Sequence, residues 1–595
     1  MDGKRLEYKG EEALKELEKS TVKVDEVQED ILKEILKRNG QTEYLKQFMK
    51  GSTDVSTFKR LVPVITYSSI CPYIQRIANG EDSSLLSAHP ITEMLRSSGT
   101  SAGEPKLMPS IAEDLDRRTF VYNLIMPIMN QYIPGLDKGK AMYLYFAKGE
   151  RSTPSGLPIR PVLTSYYKSK HFKCRSHDPF NDFTSPDQTI LCTDSRQSMY
   201  CQLLAGLLHR NHVLRLGAVF ASAFLRAINF LERNWVHLCN DIRSGQLDPS
   251  ITDPGCRSAM MELLTSPDPV LADKIEAICS SKSWKGILCQ LWPRAKYIEA
   301  VVTGSMAQYI PTLEFYSAGK LPLLCTMYAS SECYLGVNLK PLCDPADVAY
   351  TILPNLGYFE FIPLGNNGSL VEEEEEEEVT RSKMVDLAHV RLGGYYEIVV
   401  TTFAGLYRYR IGDVLQVIGY HNKAPQFRFV CRRNVVLSID TDKTSEEDLH
   451  KSVTMAKKLL EPYEALLVEY TSCTDTSTIP GHYVLYWEIV SHRSTMNELT
   501  RLETHVLEEC CMAVEESLDY VYRRCRTFDR SVGPLEIRVV EPGTFELLMD
   551  LCISQGGSIN QYKTPRCIKC NSTLDLLNSR VCGSFFSPRD PIWIP

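Results

Sequence analysis

The sequence predicts an α/β protein in two parts: a large N-terminal domain over 1–430 with mixed sheets and flanking helices, and a smaller C-terminal α/β domain over 431–595. Three observations lead there. The chain has 595 residues, well beyond the roughly 250–300 at which one hydrophobic core stops growing. Helical periodicity dominates the first half and gives way, from about residue 296, to short apolar runs separated by turn signals. Near Cys431-Arg432-Arg433-Asn434 a fresh alternation of strands and helices begins.

Each element has its own signal. In the first 50 residues Leu14, Leu17, Ile31, Ile35 and Leu36 recur at helical spacing. Helices are also expected over 110–135, 197–208 and 220–242. The last carries Phe224, Ile228, Phe230, Leu231 and Trp235, mostly on one face, which reads as a core stripe. Strands are expected over 297–303, 321–327, 348–353, 358–362, 395–402 and 414–418, with turns such as Gly304-Ser305, Pro354-Asn355 and Gly393-Gly394 between them. The second domain reads as strand 435–439, helix 446–460, strand 483–490, helix 496–521, strand 535–540 and helix 545–551. Seven consecutive glutamates, 372–378, repel one another and read as a solvated loop.

Composition excludes some classes. A net charge of −8 argues against a nucleic-acid binder, which shows a basic patch or stripe. The N-terminal segment lacks the apolar core of a secretory signal, and no apolar run is long enough to span a membrane. A cytoplasmic monomer is the expectation, with the 20 cysteines as free thiols. Cys510-Cys511 and Cys567-x-x-Cys570 have no further metal ligands at matching spacing nearby and read as structural.

Three segments carry chemistry. Ser97-Ser98-Gly99-Thr100-Ser101-Ala102-Gly103-Glu104-Pro105-Lys106 combines two flexible glycines, four hydroxyls and a lysine. Such a loop can curl its N–H groups and hydroxyls around phosphate oxygens, although it lacks the Walker spacing. Met327-Tyr328-Ala329-Ser330-Ser331-Glu332 follows an expected strand. Tyr328 offers a ring face for a purine and Glu332 a hard oxygen for Mg²⁺; a plain turn with a solvated glutamate is the alternative. Tyr407-Arg408-Tyr409-Arg410-Ile411-Gly412-Asp413 places a carboxylate after a glycine, suited to a ribose diol. Its alternative is a structural turn closed by an Arg410–Asp413 ion pair.

In this order the three segments resemble the adenylate-forming superfamily. The spellings SSGTSAGEPK, TMYASSEC and YRYRIGD resemble the plant auxin-responsive acyl acid–amido synthetases, most closely the indole-3-acetic acid–amido synthetases. So do PVLTSYYKS (161–169), VFASAFLRAI (219–228), VTGSMAQYIPTLEFYS (302–317), PGTFELLMD (542–550) and SINQYKTPRC (558–567), and the resemblance covers essentially the whole chain. Leu-Met-Pro after Lys106, and Ala329-Ser330-Ser331 in place of a glycine-containing turn, depart from the superfamily and suit the amido-synthetase branch.

The resemblance implies an adenylate-forming N-terminal domain, a mobile C-terminal domain, and ATP and Mg²⁺ as requirements. It implies conjugation of an acyl acid to an amino acid through an acyl-adenylate, with aspartate or glutamate as acceptor. Ser97, Ser98, Gly99, Thr100, Ser101 and Lys106 would hold phosphates. Tyr328, Ser330, Ser331, Asp413 and Arg432 would bind the nucleotide, with Asp413 at the ribose, and Glu332 the Mg²⁺. Lys563 would reach the reacting phosphate and, with Glu332, form the catalytic pair. Val162, Leu163, Tyr167, Val219, Met327, Ala329 and Tyr334 would wall the acid slot, with Arg118 on the acid's carboxylate and Arg117 its immediate neighbour. Jasmonate or a benzoate-type acid, a thiol acceptor such as coenzyme A, and a non-catalytic hormone-binding protein on the same scaffold remain open at this point.

Overall fold

The computed structural model describes residues 10–101, 104–177, 179–364, 384–433, 435–463, 465–491, 504–554 and 564–594. The glutamate run and Lys563 lie outside them. The chain divides into two compact units: 1–97 with 107–433, and 98–106 with 434–595. Among the described residues no helix is long and apolar enough to cross a membrane.

In the first unit, helices Glu11–Val22 and Val24–Asn39 pack an apolar stripe inward. Gln28 fastens the second of them to the central sheet. Its Nε2 donates to the carbonyls of Pro354 and Gly357, both at 2.7 Å, and its Oε1 accepts from the Phe359 N–H at 2.8 Å. A buried amide satisfied this fully fixes one register.

A parallel sheet runs in the order Lys140–Leu144, Val213–Phe220, Tyr297–Val301, Leu323–Leu324. Crossover helices Ser195–Leu208 and Ala221–Ser244 cover it, so its strands read as apolar runs without alternation. That is why 140–144 and 213–220 carry no half-buried strand signal in the sequence.

An antiparallel sheet follows, in the order Val385–Asp386, Tyr358–Leu364, Tyr395–Thr401, Tyr409–His421, Ala424–Arg432, Tyr350–Ile352, Tyr334–Val337, Met327–Ala329. The expected strand 321–327 is therefore two pieces in two sheets, Leu323–Leu324 and Met327–Ala329. The expected strand 414–418 begins at Tyr409 and runs to His421. Tyr328 and Asp413 thus sit inside strands and not in turns beyond strand ends.

The second unit has a four-stranded sheet, Ala465–Asp475, His482–Ser491, Glu536–Val540, Val581–Phe586. Its core gathers Tyr483, Leu485 and Trp487 with Leu507, Cys510, Cys511 and Val514 of helix Thr504–Ser517. Cys510 and Cys511 are core side chains there, both 0 % exposed. The helix expected over 496–521 ends at Ser517, and a new one, Tyr520–Thr527, starts because Asp519 caps it, accepting from the Tyr522 N–H at 2.7 Å.

Asp442 makes this unit sensitive to pH. Its carboxylate is fully buried and accepts from the Asp440 N–H at 2.7 Å, the Ile439 N–H at 3.1 Å and the Tyr483 hydroxyl. Burial pushes its pKa up to about 6 from an ordinary 3.8. The folded state therefore favours the protonated form. The stability this contributes is full below pH 3.8 and is lost as pH rises through about 6. Asp442→Asn keeps an acceptor and removes the titration. Its melting temperature is expected to lose the decline the parent shows across that window; an unchanged decline counts against Asp442 as its source.

Candidate functional site

The hairpin from Met327 to Val337 organises the site. Strands Met327–Ala329 and Tyr334–Val337 pair antiparallel, and Ser330 closes the turn between them. The Ser330 N–H donates to the Cys333 carbonyl at 3.0 Å, and its hydroxyl both donates to that carbonyl at 3.1 Å and accepts from the Cys333 N–H at 3.3 Å. Ser330 is thus consumed by the turn, and Ser331 and Glu332 are the residues it presents. Glu332 Oε1 is buried with no hydrogen-bond partner among the described residues.

Side chains alternate along a strand, so the hairpin separates two environments. On one face Tyr328 donates its hydroxyl to Asp413 Oδ2 at 2.7 Å. Four strand steps separate these residues in the sheet order, which would be about 19 Å in a flat sheet. The contact therefore requires the sheet to curl back on itself. The ring of Tyr328 lies 5.5 Å from that of Tyr350 and edge-on to Phe429, so Tyr328 is only 8 % exposed. Burial, reinforced by the Asp413 charge, drives its pKa far up, and it stays a donor.

Asp413 is presented by a bulge. Opposite Glu397–Val399 the register shifts by two residues across 411–413, and Gly412 has φ 89°, a left-handed conformation that favours glycine. Asp413 Oδ1 is buried without a hydrogen-bond partner among the described residues, and Arg432 Nη1 stands 3.6 Å from it. Burial opposes the Arg432 charge, but Asp413 and Glu332 outweigh it and raise the pKa above the ordinary guanidinium value. Asp413, Glu332 and Arg432 thus form one electrostatic group.

The Arg410–Asp413 pair does not form. Arg410 grips Glu397 with two bonds, at 2.9 and 2.7 Å, and Arg433 joins the same carboxylate at 2.5 Å. Arg408 turns inward and pairs with buried Glu360. The two arginines of the motif anchor the strand and leave Asp413 to the site.

On the other face lie Met327, Ala329 and Tyr334, the last two paired across the hairpin. Met327 and Tyr122 both pack against the core cluster that includes Ile125 of helix Ala112–Tyr132, and the Tyr334 hydroxyl lies 3.0 Å from that of Tyr122. One turn before Tyr122, Arg118 is buried. Its Nη2 donates to Ser110 Oγ at 3.1 Å, while Nη1 is buried with no partner among the described residues. Arg117 is spent on structure: it stacks 3.6 Å over the Phe403 ring and pairs with Glu113 and Asp114, both at 3.2 Å. Tyr166 stacks on Tyr122 at 4.1 Å, and beyond it Tyr167 packs with Leu163, Tyr145 and Phe172.

The structure joins Tyr328, Glu332, Asp413 and Arg432 on one face, and Arg118, Met327, Ala329 and Tyr334 on the other, with Leu163 and Tyr167 in the aromatic wall behind. Val162 opens helix Val162–Lys168 and Val219 lies near the end of strand Val213–Phe220, both half-buried. Ser97 is buried, and Ser98 to Ser101 end the strand Ile91–Ser101, which pairs with Glu104–Ile111, the strand carrying Lys106. Sequence reasoning missed Tyr122, whose signal was its spacing of four from Arg118 on one helix face.

The fold is that of an acyl acid amido synthetase. The structure matches that of "GH3.15 acyl acid amido synthetase" with a TM-score of 0.67 and 49% sequence identity, covering 98% of each chain. The chain belongs to the GH3 family, whose N-terminal, central and C-terminal domain models match residues 13–323, 350–432 and 447–572. It is 68% identical to the "Putative indole-3-acetic acid-amido synthetase GH3.9" of Arabidopsis thaliana, covering 100% of both chains. It is 59% identical to the "Indole-3-acetic acid-amido synthetase GH3.17" of the same plant, covering 98% of both.

Proposed function

We propose that this chain is an ATP-dependent ligase that joins indole-3-acetic acid to the amine of an amino acid through an acyl-adenylate. The observation that carries the reading is the hairpin's partition. A buried guanidinium nitrogen of Arg118 lies beside an aromatic wall on one side, and on the other lie carboxylate oxygens of Glu332 and Asp413 that have no hydrogen-bond partner among the described residues, with Arg432 3.6 Å from that of Asp413. The relatives' names support the choice of acid.

A free carboxylate acylates poorly because oxide would have to leave. In the first half-reaction the acid's oxygen attacks the α-phosphorus of ATP, the bond to the β-phosphate oxygen breaks, and pyrophosphate leaves. In the second the amine attacks the acyl carbon, AMP leaves, and the amine gives up a proton. Catalysis in the first step is positioning and charge neutralisation. Arg118 holds the acid's carboxylate, Tyr122 and Tyr334 set the wall, and Met327 adapts to a flat indole, with Ala329 leaving it room. Asp413 receives the ribose hydroxyls and Arg432 stands by the phosphates. Ser98, Thr100, Ser101, Lys106 and Lys563 act on the phosphates in the same reading. The Glu332 oxygen, which has no hydrogen-bond partner among the described residues, would hold Mg²⁺, and the ion would neutralise phosphate charge. Reorientation of 434–595 between the half-reactions belongs to the same reading, and would appear as different scattering curves with ATP and with AMP.

Pyrophosphate release over indole-3-acetic, phenylacetic, benzoic and jasmonic acids, followed by twenty amino acids with the best acid, tests the function. Indole-3-acetic acid is expected to give the highest kcat/KM. A higher value for jasmonic or benzoic acid overturns the choice of acid, and thioester formation in preference to amide overturns the acceptor class.

Arg118→Ala is expected to lower kcat/KM for the acid by roughly 10- to 150-fold, the loss of one charge-assisted contact of about 1.5–3 kcal/mol. Arg117→Ala is expected to lower the melting temperature and leave the acid's KM nearly unchanged. The reverse ranking of the two in steady-state kinetics rejects Arg118 as the carboxylate contact.

A further inference from the structure

Away from the hairpin, thiols and a carboxylate converge. Cys192 follows helix Asp187–Leu191, Asp253 caps helix Pro254–Leu263, and Cys256 lies in that helix's first turn. One ligand atom from each lies within 4.8 Å of the other two. Cys192 and Cys256 are 5 % and 0 % exposed, and Asp253 is half-buried. Cys201 is fully buried in helix Ser195–Leu208, which packs against helix Pro254–Leu263.

The frame around the cluster is held from outside. Asp194 accepts the N–H groups of Arg196 and Gln197 at 2.9 and 3.0 Å, and the Gln197 side chain donates back to Asp194 at 2.9 Å. Gln197 Oε1 then accepts the N–H groups of Thr252 and Asp253 at 2.7 and 2.8 Å. Asp253 Oδ1 holds the Cys256 N–H at 2.8 Å. Outer contacts of this kind orient metal ligands.

We infer that Cys192, Asp253 and Cys256, with Cys201 turning in to complete a tetrahedron, form a structural zinc site that ties helix Pro254–Leu263 to helix Ser195–Leu208. Tetrahedral zinc with bonds of about 2.3 Å to sulfur sets neighbouring ligand atoms about 3.8 Å apart, so the present triad closes by roughly 1 Å or less. Thiolates favour zinc over Mg²⁺ and Ca²⁺, which take oxygen ligands. Binding releases one proton to solvent from each coordinating thiol.

Metal analysis of the purified full-length protein, and cobalt(II) substitution after chelation, test the site. One zinc per chain is expected, with a sulfur-to-cobalt charge-transfer band on substitution and a higher melting temperature with zinc than without. Cys256→Ser and Asp253→Asn are expected to lose the zinc on dialysis, while Cys570→Ser, at an exposed thiol, keeps it. Asp253→Asn retains an oxygen for the helix cap and so stays folded. A folded parent with neither zinc nor a cobalt band overturns the assignment. So do folded Cys256→Ser or Asp253→Asn variants that hold zinc as the parent does.

Discussion

Replacing Arg408 with alanine is expected to destabilise the first unit by about 3–5 kcal/mol, the cost of breaking a buried ion pair by removing one partner. Arg408 is 2 % exposed and Glu360 is 3 % exposed. The guanidinium meets the carboxylate with two bonds of 2.9 Å. Its Nη1 donates to the carbonyls of Lys59 and Val62 at 2.8 and 2.9 Å. The residue also holds φ 46°, a left-handed conformation uncommon outside glycine. The side-chain bonds keep it there, and the backbone beside it pairs with Ile65 on both sides, from the Arg408 carbonyl at 3.0 Å and the Arg410 N–H at 2.9 Å. Without Arg408 the Glu360 carboxylate is stranded. Burial already raises its pKa, with the arginine as the main counterweight. Arg408→Ala with Glu360→Gln should therefore recover part of the loss, because no charge remains buried unpaired. Chemical denaturation of the parent and both variants measures this. A single variant within about 1 kcal/mol of the parent would remove the pair from any role in shaping the site, since surface pairs reach only that size.

Much of the fold was legible where a strand or helix buries one face. The stripe from Phe224 to Trp235 corresponds to helix Ala221–Ser244, and the apolar run at 395–402 was legible as strand Tyr395–Thr401 through the turn signal Gly393-Gly394 before it. Strands with both faces covered, such as Val213–Phe220, show no period and were not legible. The strands around Ser97 and Lys106 were hidden by their serines and glycines, which read as loop. For the site, the motifs marked Tyr328, Glu332 and Asp413 but not what holds them. Tyr-Arg-Tyr-Arg does not reveal that one arginine meets Glu360 and the other Glu397, because both partners lie on other strands. Arg117 and Arg118 are equivalent in sequence, and only the orientation of their helix makes one a stacking residue and the other a buried donor. Tyr122 carries in sequence only its spacing of four from Arg118, and the 3.0 Å approach of the Tyr334 hydroxyl is what marks it as part of the site.

Asp413→Ala is expected to raise the KM for ATP by roughly 10- to 150-fold, the worth of about 1.5–3 kcal/mol for a hydrogen bond to a charged group. The KM for the acid should change little. That asymmetry follows from the hairpin: Tyr328 and Asp413 occupy the face opposite Met327, Ala329 and Tyr334, so a change on one side leaves the other's contacts in place. Two further effects add to the loss. Removing the carboxylate strands the Tyr328 hydroxyl, which burial keeps protonated and which donates to Asp413 at 2.7 Å. It also takes away the carboxylate charge that does most to stabilise Arg432 against its own burial. Tyr328→Phe is the finer probe. It keeps the Asp413 charge and removes only the hydroxyl that holds it, so ATP binding should weaken less than in Asp413→Ala. Steady-state kinetics with each substrate varied in turn separates the two faces. If Asp413→Ala raises the acid's KM as much as that for ATP, the hairpin does not divide the site, and the assignment of acid and nucleotide to its two faces fails.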